Sequence, residues 1–181
     1  DWSSDVCSSD LAVGSGALQN TTASNLTAIG YQALYSNTTG TYNESVGYQA
    51  LYNTTTGSNN IGVGTTAGYS ITYGSQNIAI GRGTLFSNAT GSNNTAVGYQ
   101  VLNSSTASNL TAVGYQALYN NTTGTYNVTV GYQASYYNTT GSYNTALGYG
   151  AGQTNATGTY NTSMGYASLG YSVAANTNVS R

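Results

Sequence analysis

The sequence predicts an all-β fold, a repeat β-solenoid of the parallel β-roll type with about ten coils of roughly 17 residues each. The first observation is a period, since ten glycines that follow an aliphatic residue or methionine recur at near-constant spacing. The second is composition, because the intervening segments are rich in β-branched and aromatic residues punctuated by Gly and Asn. A period of this size, kept along the chain, is typical of stacked coils. The ten key glycines are Gly14, Gly30, Gly47, Gly64, Gly81, Gly98, Gly114, Gly131, Gly148 and Gly165.

Positions within a coil are counted from its key glycine, so that −1 is the residue before it and +1 the residue after it. Position −1 is aliphatic or methionine and position +4 is mostly leucine, so these two columns are expected to stack into a thin core. Each coil is long enough for two short strands and two turns, but scarcely for a helix–turn–helix unit. Glycine at −7, as in the segment NTTG, is expected to supply a positive φ at a turn.

Position −4 is a column of asparagines. In stacked coils their side-chain amides are expected to form a ladder, each bonding to the next coil, as stacked asparagines do in cross-β arrangements. The predicted ladder residues are Asn43, Asn60, Asn77, Asn94, Asn127, Asn144 and Asn161.

A longer period, from Gly14 to Gly98 and from Gly81 to Gly165, also runs through the chain, and it corresponds to five coils. The segment TAIGYQALYSNTTGTYN at 27–43 returns as TAVGYQALYNNTTGTYN at 111–127. Two coils, those that begin at Gly14 and Gly98, are shorter than the others, and both contain the variant turn TASNL. The pattern indicates that a block of five coils was duplicated.

Tyrosine forms three further columns, at +1, +5 and −5. Because parallel coils lie about 4.8 Å apart, each column is expected to be a stack of rings. Exposed stacks suit carbohydrate binding, adhesion or lateral packing, since tyrosine offers apolar area with a polar tip; alternatively, they only cover a thin core. The column expected to be exposed is +1: Tyr31, Tyr48, Tyr99, Tyr115, Tyr132, Tyr149 and Tyr166.

N-glycosylation sequons are frequent in this Asn- and Thr-rich chain. Those at −10 fall in predicted turns, and acceptor asparagines must be exposed. Glycans there would also keep a nearly uncharged, tyrosine-rich rod soluble; the alternative is a coincidence of the repeat. The candidate acceptors are Asn20, Asn37, Asn88, Asn121, Asn138 and Asn155.

Charged residues are scarce: the chain has two Lys or Arg residues, four Asp or Glu residues and no histidine. General acid–base catalysis needs a titratable group with a partner, so no enzyme and no catalytic residue is expected. No cofactor site, metal site or nucleic-acid surface is expected either. No apolar run approaches the roughly 20 residues that span a bilayer.

Residues 1–11, DWSSDVCSSDL, resemble the translation of a common high-throughput sequencing adapter, as in a metagenomic or transcriptomic assembly product. The resemblance implies that this segment is not native and that the only cysteine, Cys7, belongs to it. The expected organisation is therefore a non-native segment 1–11, a repeat array 12–170, and the start of a truncated coil or cap at 171–181.

The motifs NTAVGYQVL at 94–102 and NLTAVGYQALYNNTTG at 109–124 resemble the head repeats of trimeric autotransporter adhesins and repeats of phage tail-fibre-like proteins. The resemblance covers 12–170 and implies an extracellular, cell-surface or virion rod that self-associates as a trimer or an end-to-end filament. A host surface or glycans are its expected outside partners. The interpretation is a non-catalytic fibre, filament or adhesin head; the alternatives are a phage tail-fibre shaft and a carbohydrate-binding β-helix protein.

Overall fold

The computed structural model describes residues 9–169 and the short strand at 179–180. Its strands lie in chain order in one parallel sheet of 11 strands, and each pairs with the same positions one coil away, as in Thr27 with Glu44 and Ala28 with Ser45. The predicted all-β parallel solenoid is confirmed. The strands are β1 Leu11–Val13, β2 Thr27–Ile29, β3 Glu44–Val46, β4 Ile61–Val63, β5 Ile78–Ile80, β6 Thr95–Tyr99, β7 Thr111–Tyr115, β8 Val128–Val130, β9 Thr145–Leu147, β10 Thr162–Met164 and β11 Val179–Ser180.

Each described coil contributes one strand, not the two that were predicted. Past the key glycine the chain turns, yet its backbone still bonds to neighbouring coils. The Leu34 amide donates to the Ala50 carbonyl at 3.1 Å, and the Ser36 amide donates to the Tyr52 carbonyl at 3.0 Å. The coils are therefore hydrogen-bonded beyond the sheet as well as within it.

The predicted second strand does not form in the described coils because the backbone after the key glycine adopts left-handed φ values. Ala33 and Leu34 are both fully buried, although successive side chains of an extended strand point to opposite faces. Leu34 has φ 50° and Gln32 has φ 52°, a left-handed conformation that costs non-glycine residues about 1–2 kcal/mol. The bonds between coils offset this cost, and the reversal brings two adjacent side chains inside.

Glycine at −7 has a steric role, which corrects the expectation of a positive φ. Gly40 lies outside the left-handed region. A Cβ on it would approach the Gly57 carbonyl oxygen of the next coil far more closely than real Cβ atoms do, and would lie 2.8 Å from Asn37 Oδ1. The key glycines carry the positive φ instead, as in Gly30 with φ 135°.

The core consists mainly of the small residues at −2 with the residues at +3 and +4, joined by Leu26 and Leu110 at −4 and Ile71 at +7, so the prediction that position −1 is buried is wrong. In the second coil Ala28 is fully buried, whereas Ile29 is 36% exposed. The strand alternates between inside and outside, and the interior is narrow: a Cβ on Gly62 would lie 2.7 Å from Leu51 Cγ. Small residues therefore face inwards at −2, and the aliphatic residues at −1 face outwards.

The first described coil begins with Asp10 at position −4. Its Oδ1 accepts a hydrogen bond from the Leu26 amide at 2.9 Å, so a carboxylate occupies the first rung of the asparagine column. Residues 1–8, 170–178 and 181 lie outside the described residues, and most of the predicted segments 1–11 and 171–181 falls there. Among the described residues, no helix has the length and apolar character needed to cross a membrane.

Candidate functional surface

The asparagines at −4 form the predicted ladder, which is confirmed. Asn60 Nδ2 donates to the Gly74 carbonyl of the next coil at 2.9 Å, and Asn60 Oδ1 accepts from the Asn77 amide at 3.0 Å. Every rung is buried, and the bonds extend from coil to coil within two runs, 43–94 and 127–161, because Leu26 and Leu110 occupy position −4 in two of the other coils. The rungs are Asn43, Asn60, Asn77, Asn94, Asn127, Asn144 and Asn161.

A second buried column lies at +7, and it contains most of the predicted glycosylation sites. Asn37, Asn88, Asn121, Asn138 and Asn155 are at most 3% exposed, so the expectation that they are exposed turn residues is wrong. Their amides close the turn instead. Asn88 Nδ2 donates to the Gly91 carbonyl at 3.0 Å, while Asn88 Oδ1 accepts from the Gly91 amide at 2.9 Å. A side chain with both ends bonded inside the coil is not accessible for glycosylation.

Asn20, the sixth candidate, is exposed because it lies outside that column. Its coil is one of the two shorter coils, so counting back from the next key glycine misplaces it by one position. Thr21 occupies the +7 position, where its Oγ1 accepts from Asn37 Nδ2 at 3.0 Å. Counting forward from the preceding glycine would have found the correct column.

The two columns meet at the glycine carbonyl of position −7. The Gly141 carbonyl accepts from Asn127 Nδ2 at 2.7 Å and from Asn138 Nδ2 at 3.0 Å. One donor comes from the preceding coil and the other from the same coil. The NTTG turn is thereby fixed to its neighbour through polar groups that are buried and bonded.

The tyrosines at +1 form the exposed aromatic column. Tyr99, Tyr115, Tyr132, Tyr149 and Tyr166 make one continuous stack, with ring centroids 4.9–5.1 Å apart. Tyr31 and Tyr48 form a separate pair at 5.4 Å, because Thr65 and Arg82 occupy this position in the next two coils. All seven tyrosines are 41–81% exposed except Tyr99, which is half-buried.

The column at +5 is more sheltered. Tyr35, Tyr52, Tyr69 and Phe86 stack at 5.1–5.2 Å; sequence analysis had missed the last two rings. Burial raises the pKa of Tyr52 above its ordinary value, and the neighbouring Tyr35 and Tyr69 raise it further. The Tyr52 phenol therefore resists ionisation.

The residues at −1 form an apolar stripe along the outer face of the sheet, beside the tyrosines at +1. Val13 and Met164, near its ends, are 51% and 48% exposed. The apolar stripe consists of Val13, Ile29, Val46, Val63, Ile80, Val97, Val113, Val130, Leu147 and Met164; Val97 and Val113 are half-buried and the others are exposed.

Glutamines at +2 form a ladder that sequence analysis missed. Gln116 Nε2 donates to Gln100 Oε1, and Gln133 Nε2 donates to Gln116 Oε1, both at 3.0 Å. Gln49 and Gln32 are paired in the same direction at 2.8 Å. The signal was present in the sequence, since these glutamines share one position relative to the key glycine.

The described surface has little charge. Its ionisable acids and bases other than tyrosine are Asp10, Glu44 and Arg82. Within residues 9–169, no group of three His, Cys, Asp or Glu side chains could hold a metal ion. No family model matches the chain, and neither a curated protein nor a solved structure does. The chemistry of the surface therefore has to be inferred from its columns of tyrosine, glutamine and aliphatic side chains.

Proposed function

We propose that the protein is a non-catalytic, extracellular structural rod whose copies associate side by side into a fibre or adhesin head. The observation that supports this proposal is the apolar stripe. An exposed contiguous apolar surface is typical of an interaction site, and this one extends along the whole described array with one side chain from each coil.

The partner that fits the stripe best is a second copy of the same chain. The stripe repeats once per coil, at the spacing of parallel strands, about 4.8 Å. A second copy offers the same spacing, so side chains can interdigitate along the full length. The near absence of charge leaves little electrostatic repulsion to oppose such an assembly.

The test is sedimentation of the full chain and of a triple variant, Val46→Lys, Val63→Lys and Val130→Lys. We expect the wild type to sediment as a discrete oligomer and the stripe variant as a monomer, because lysines would place like charges in the interface. The control variant, Thr39→Lys, Thr56→Lys and Thr123→Lys, adds the same charge to the same three coils at exposed turn positions. It should keep the oligomer.

Three results would contradict the proposal. The first is a wild-type chain that stays monomeric at high concentration. The second is equal dissociation of the stripe and control variants. The third is open-ended growth that the stripe lysines leave unchanged, which would show that copies join through their terminal coils.

A further inference from the structure

Three columns of the repeat are interrupted at one place, next to the boundary between the duplicated blocks at Gly98. Thr65 and Arg82 replace tyrosine at +1, and Thr66 and Gly83 replace glutamine at +2. The missing side chains leave an open depression of about 290 Å³. It is lined by Thr66, Arg82, Gly83, Phe86, Gln100 and Asn103.

An aromatic stack ends in this depression. Phe86 packs against Tyr69 on one side, with ring centroids 5.1 Å apart. In the next coil Asn103 stands where a ring would continue the stack, and Asn103 Nδ2 donates to the Gly83 carbonyl at 3.0 Å. The second face of the half-buried Phe86 ring therefore has no aromatic partner and borders the depression.

The glutamine ladder also ends here. Gln100 Oε1 accepts from Gln116 Nε2, and every glutamine pair donates in this same direction, from the later coil to the earlier one. Gln100 is the first glutamine of its ladder, and the preceding coil has Gly83 at this position, so no glutamine side chain there accepts from Gln100 Nε2. A Cβ built on Gly83 would lie 3.5 Å from Gln100 Cγ, which places the two residues in direct register.

Arg82 adds a positive charge without a counter-ion. It is the one cation of residues 9–169, and its guanidinium carbon lies 5.8 Å from the centre of the Tyr99 ring. Of the two acids among residues 9–169, Glu44 is the nearer to Arg82 in sequence. Glu44 lies in β3, and β4 separates β3 from β5, the strand that precedes Arg82. The Glu44 carboxylate and the Arg82 guanidinium are therefore several ångströms out of contact along the axis. The guanidinium and the Gln100 amide are both donors, and a carboxylate is the complementary acceptor.

We propose that this depression binds an acidic saccharide. The sugar carboxylate pairs with the Arg82 guanidinium, whose planar fork matches its two oxygens. The Gln100 amide donates to a neighbouring hydroxyl or ring oxygen, and the free face of Phe86 packs against the apolar C–H face of the sugar ring. The depression is small compared with sites for drug-sized ligands, so it accommodates a single sugar unit.

The chain has one such site among its described residues, because the duplicated block lacks it. The equivalent positions in that block are Tyr149 and Tyr166 at +1 and Gly150 and Ala167 at +2. Tyr149 and Tyr166 continue the aromatic stack, at 5.1 Å. No second arginine stands at the equivalent position.

The experiment is calorimetric titration of the full chain with trigalacturonate, with a neutral galactose trimer as the comparison probe, at low salt. We expect trigalacturonate to bind at least tenfold more tightly than the neutral trimer. Arg82→Tyr restores the repeat residue at +1 and removes the charge. Gly83→Gln keeps the charge but restores the glutamine ladder, and Gly83 already has φ 64°, close to the 48–52° of the other glutamines at +2. Both variants should fold as the wild type does and lose at least tenfold in affinity.

The control is Tyr132→Arg, which places an arginine in an intact tyrosine column with no depression beside it. With Arg82→Tyr in the same chain, it should not restore binding. Restored binding, or full affinity in Gly83→Gln, would show a non-specific charge effect and overturn the proposal. Equal competition by acetate would overturn the saccharide assignment. Arg82 lies outside the apolar stripe, so Arg82→Tyr should lose trigalacturonate binding and still sediment as the wild type does; failure of the association and failure of this site are therefore distinguishable.

Discussion

The two duplicated blocks, 14–97 and the described part of 98–181, share their backbone but differ in where their apolar contacts lie. In the first block position +4 holds Leu18, Leu34, Leu51 and Leu85, with one gap at Gly68 beside Ile71, and the large buried cluster runs through this block and on to Leu118 in the second. Further along the second block Ser135 and Gly152 interrupt the column in two successive coils, and the buried cluster there consists of Ala134, Ala146 and Ala151.

The outer surface of the second block has more aromatic contact than that of the first. Among the described residues, the second block has seven stacked aromatic pairs, whereas the first has four. Both blocks keep the asparagine ladders and the bonds between coils. The comparison indicates that backbone and amide bonds specify the coil, while apolar contact can be supplied inside or outside it.

Within the interior, substitutions between the blocks are correlated. In the first block Leu51 projects towards Gly62, Gly68 and Ile71; a Cβ on Gly68 would lie 2.6 Å from Leu51 Cδ2 and 2.9 Å from Ile71 Cδ1. Leucine and isoleucine therefore fill the space that two glycines leave. In the second block the equivalent residues are Ser135, Ala146, Gly152 and Asn155. Each set is complementary within itself.

The largest expected effect tests whether both blocks share one interior column. Ala28→Asp and its equivalent, Ala112→Asp, would each bury a carboxylate without a partner, at a cost of several kcal/mol. Ile29→Asp, at the next position, replaces a side chain of the apolar stripe and should cost less than about 1 kcal/mol. The measurement is the free energy of unfolding in urea. Equal loss of stability from Ala28→Asp and Ile29→Asp would contradict the placement of position −2 inside and position −1 outside.

Sequence reasoning found what repeats and missed what depends on backbone direction. The period identified the solenoid, and the asparagines at −4 identified the ladder, since both follow from spacing alone. Residue type misled at −1, where valine and isoleucine face outwards because a narrow coil admits only small residues at −2. The left-handed φ of Leu34 buries two successive residues, and neither propensity nor alternation predicts that.

The candidate site was less accessible to sequence reasoning than the fold. The tyrosine column was visible in the sequence, but its interruption at Arg82 was not recognised as a candidate site. Its meaning depends on Gly83, Phe86 and Asn103 lying around it, and on the direction in which the glutamine amides donate. Hydrogen-bond direction along a ladder is a property of the assembled coils that residue spacing does not contain.

An intermediate effect tests the correlated sets. Leu51→Ser should cost about 2–5 kcal/mol, because it removes a fully buried side chain. Gly62→Ala alone should cost about 1–3 kcal/mol, since its Cβ would lie 2.7 Å from Leu51 Cγ. In the double variant Leu51→Ser relieves the clash. The measured loss of stability should therefore be about 1 kcal/mol smaller than the sum of the losses of the two single variants. Strict additivity in urea unfolding would contradict the complementarity of the set. The matched control in the second block, Ala146→Gly, meets no leucine and should show only a small loss.

The smallest expected effect compares Tyr52 with its equivalent in the second block, Tyr136. Burial raises the pKa of both phenols above 10.0, with neighbouring tyrosines adding to the shift; at Tyr136 a hydrogen bond with Asn120 opposes it. A raised pKa in the folded state means that folding favours the neutral phenol. This contribution to stability is fully present below about pH 10 and is lost as the pH rises through the raised pKa. Tyr52→Phe should therefore leave the melting temperature nearly unchanged at pH 8, because Phe86 shows that the column accepts this ring. Above pH 10 the variant should lose less stability than the wild type, and Tyr136→Phe should show a difference of the same sign. A Tyr52→Phe melting curve that falls as steeply as the wild type above pH 10 would show that ionisation of the sheltered stack does not limit alkaline stability.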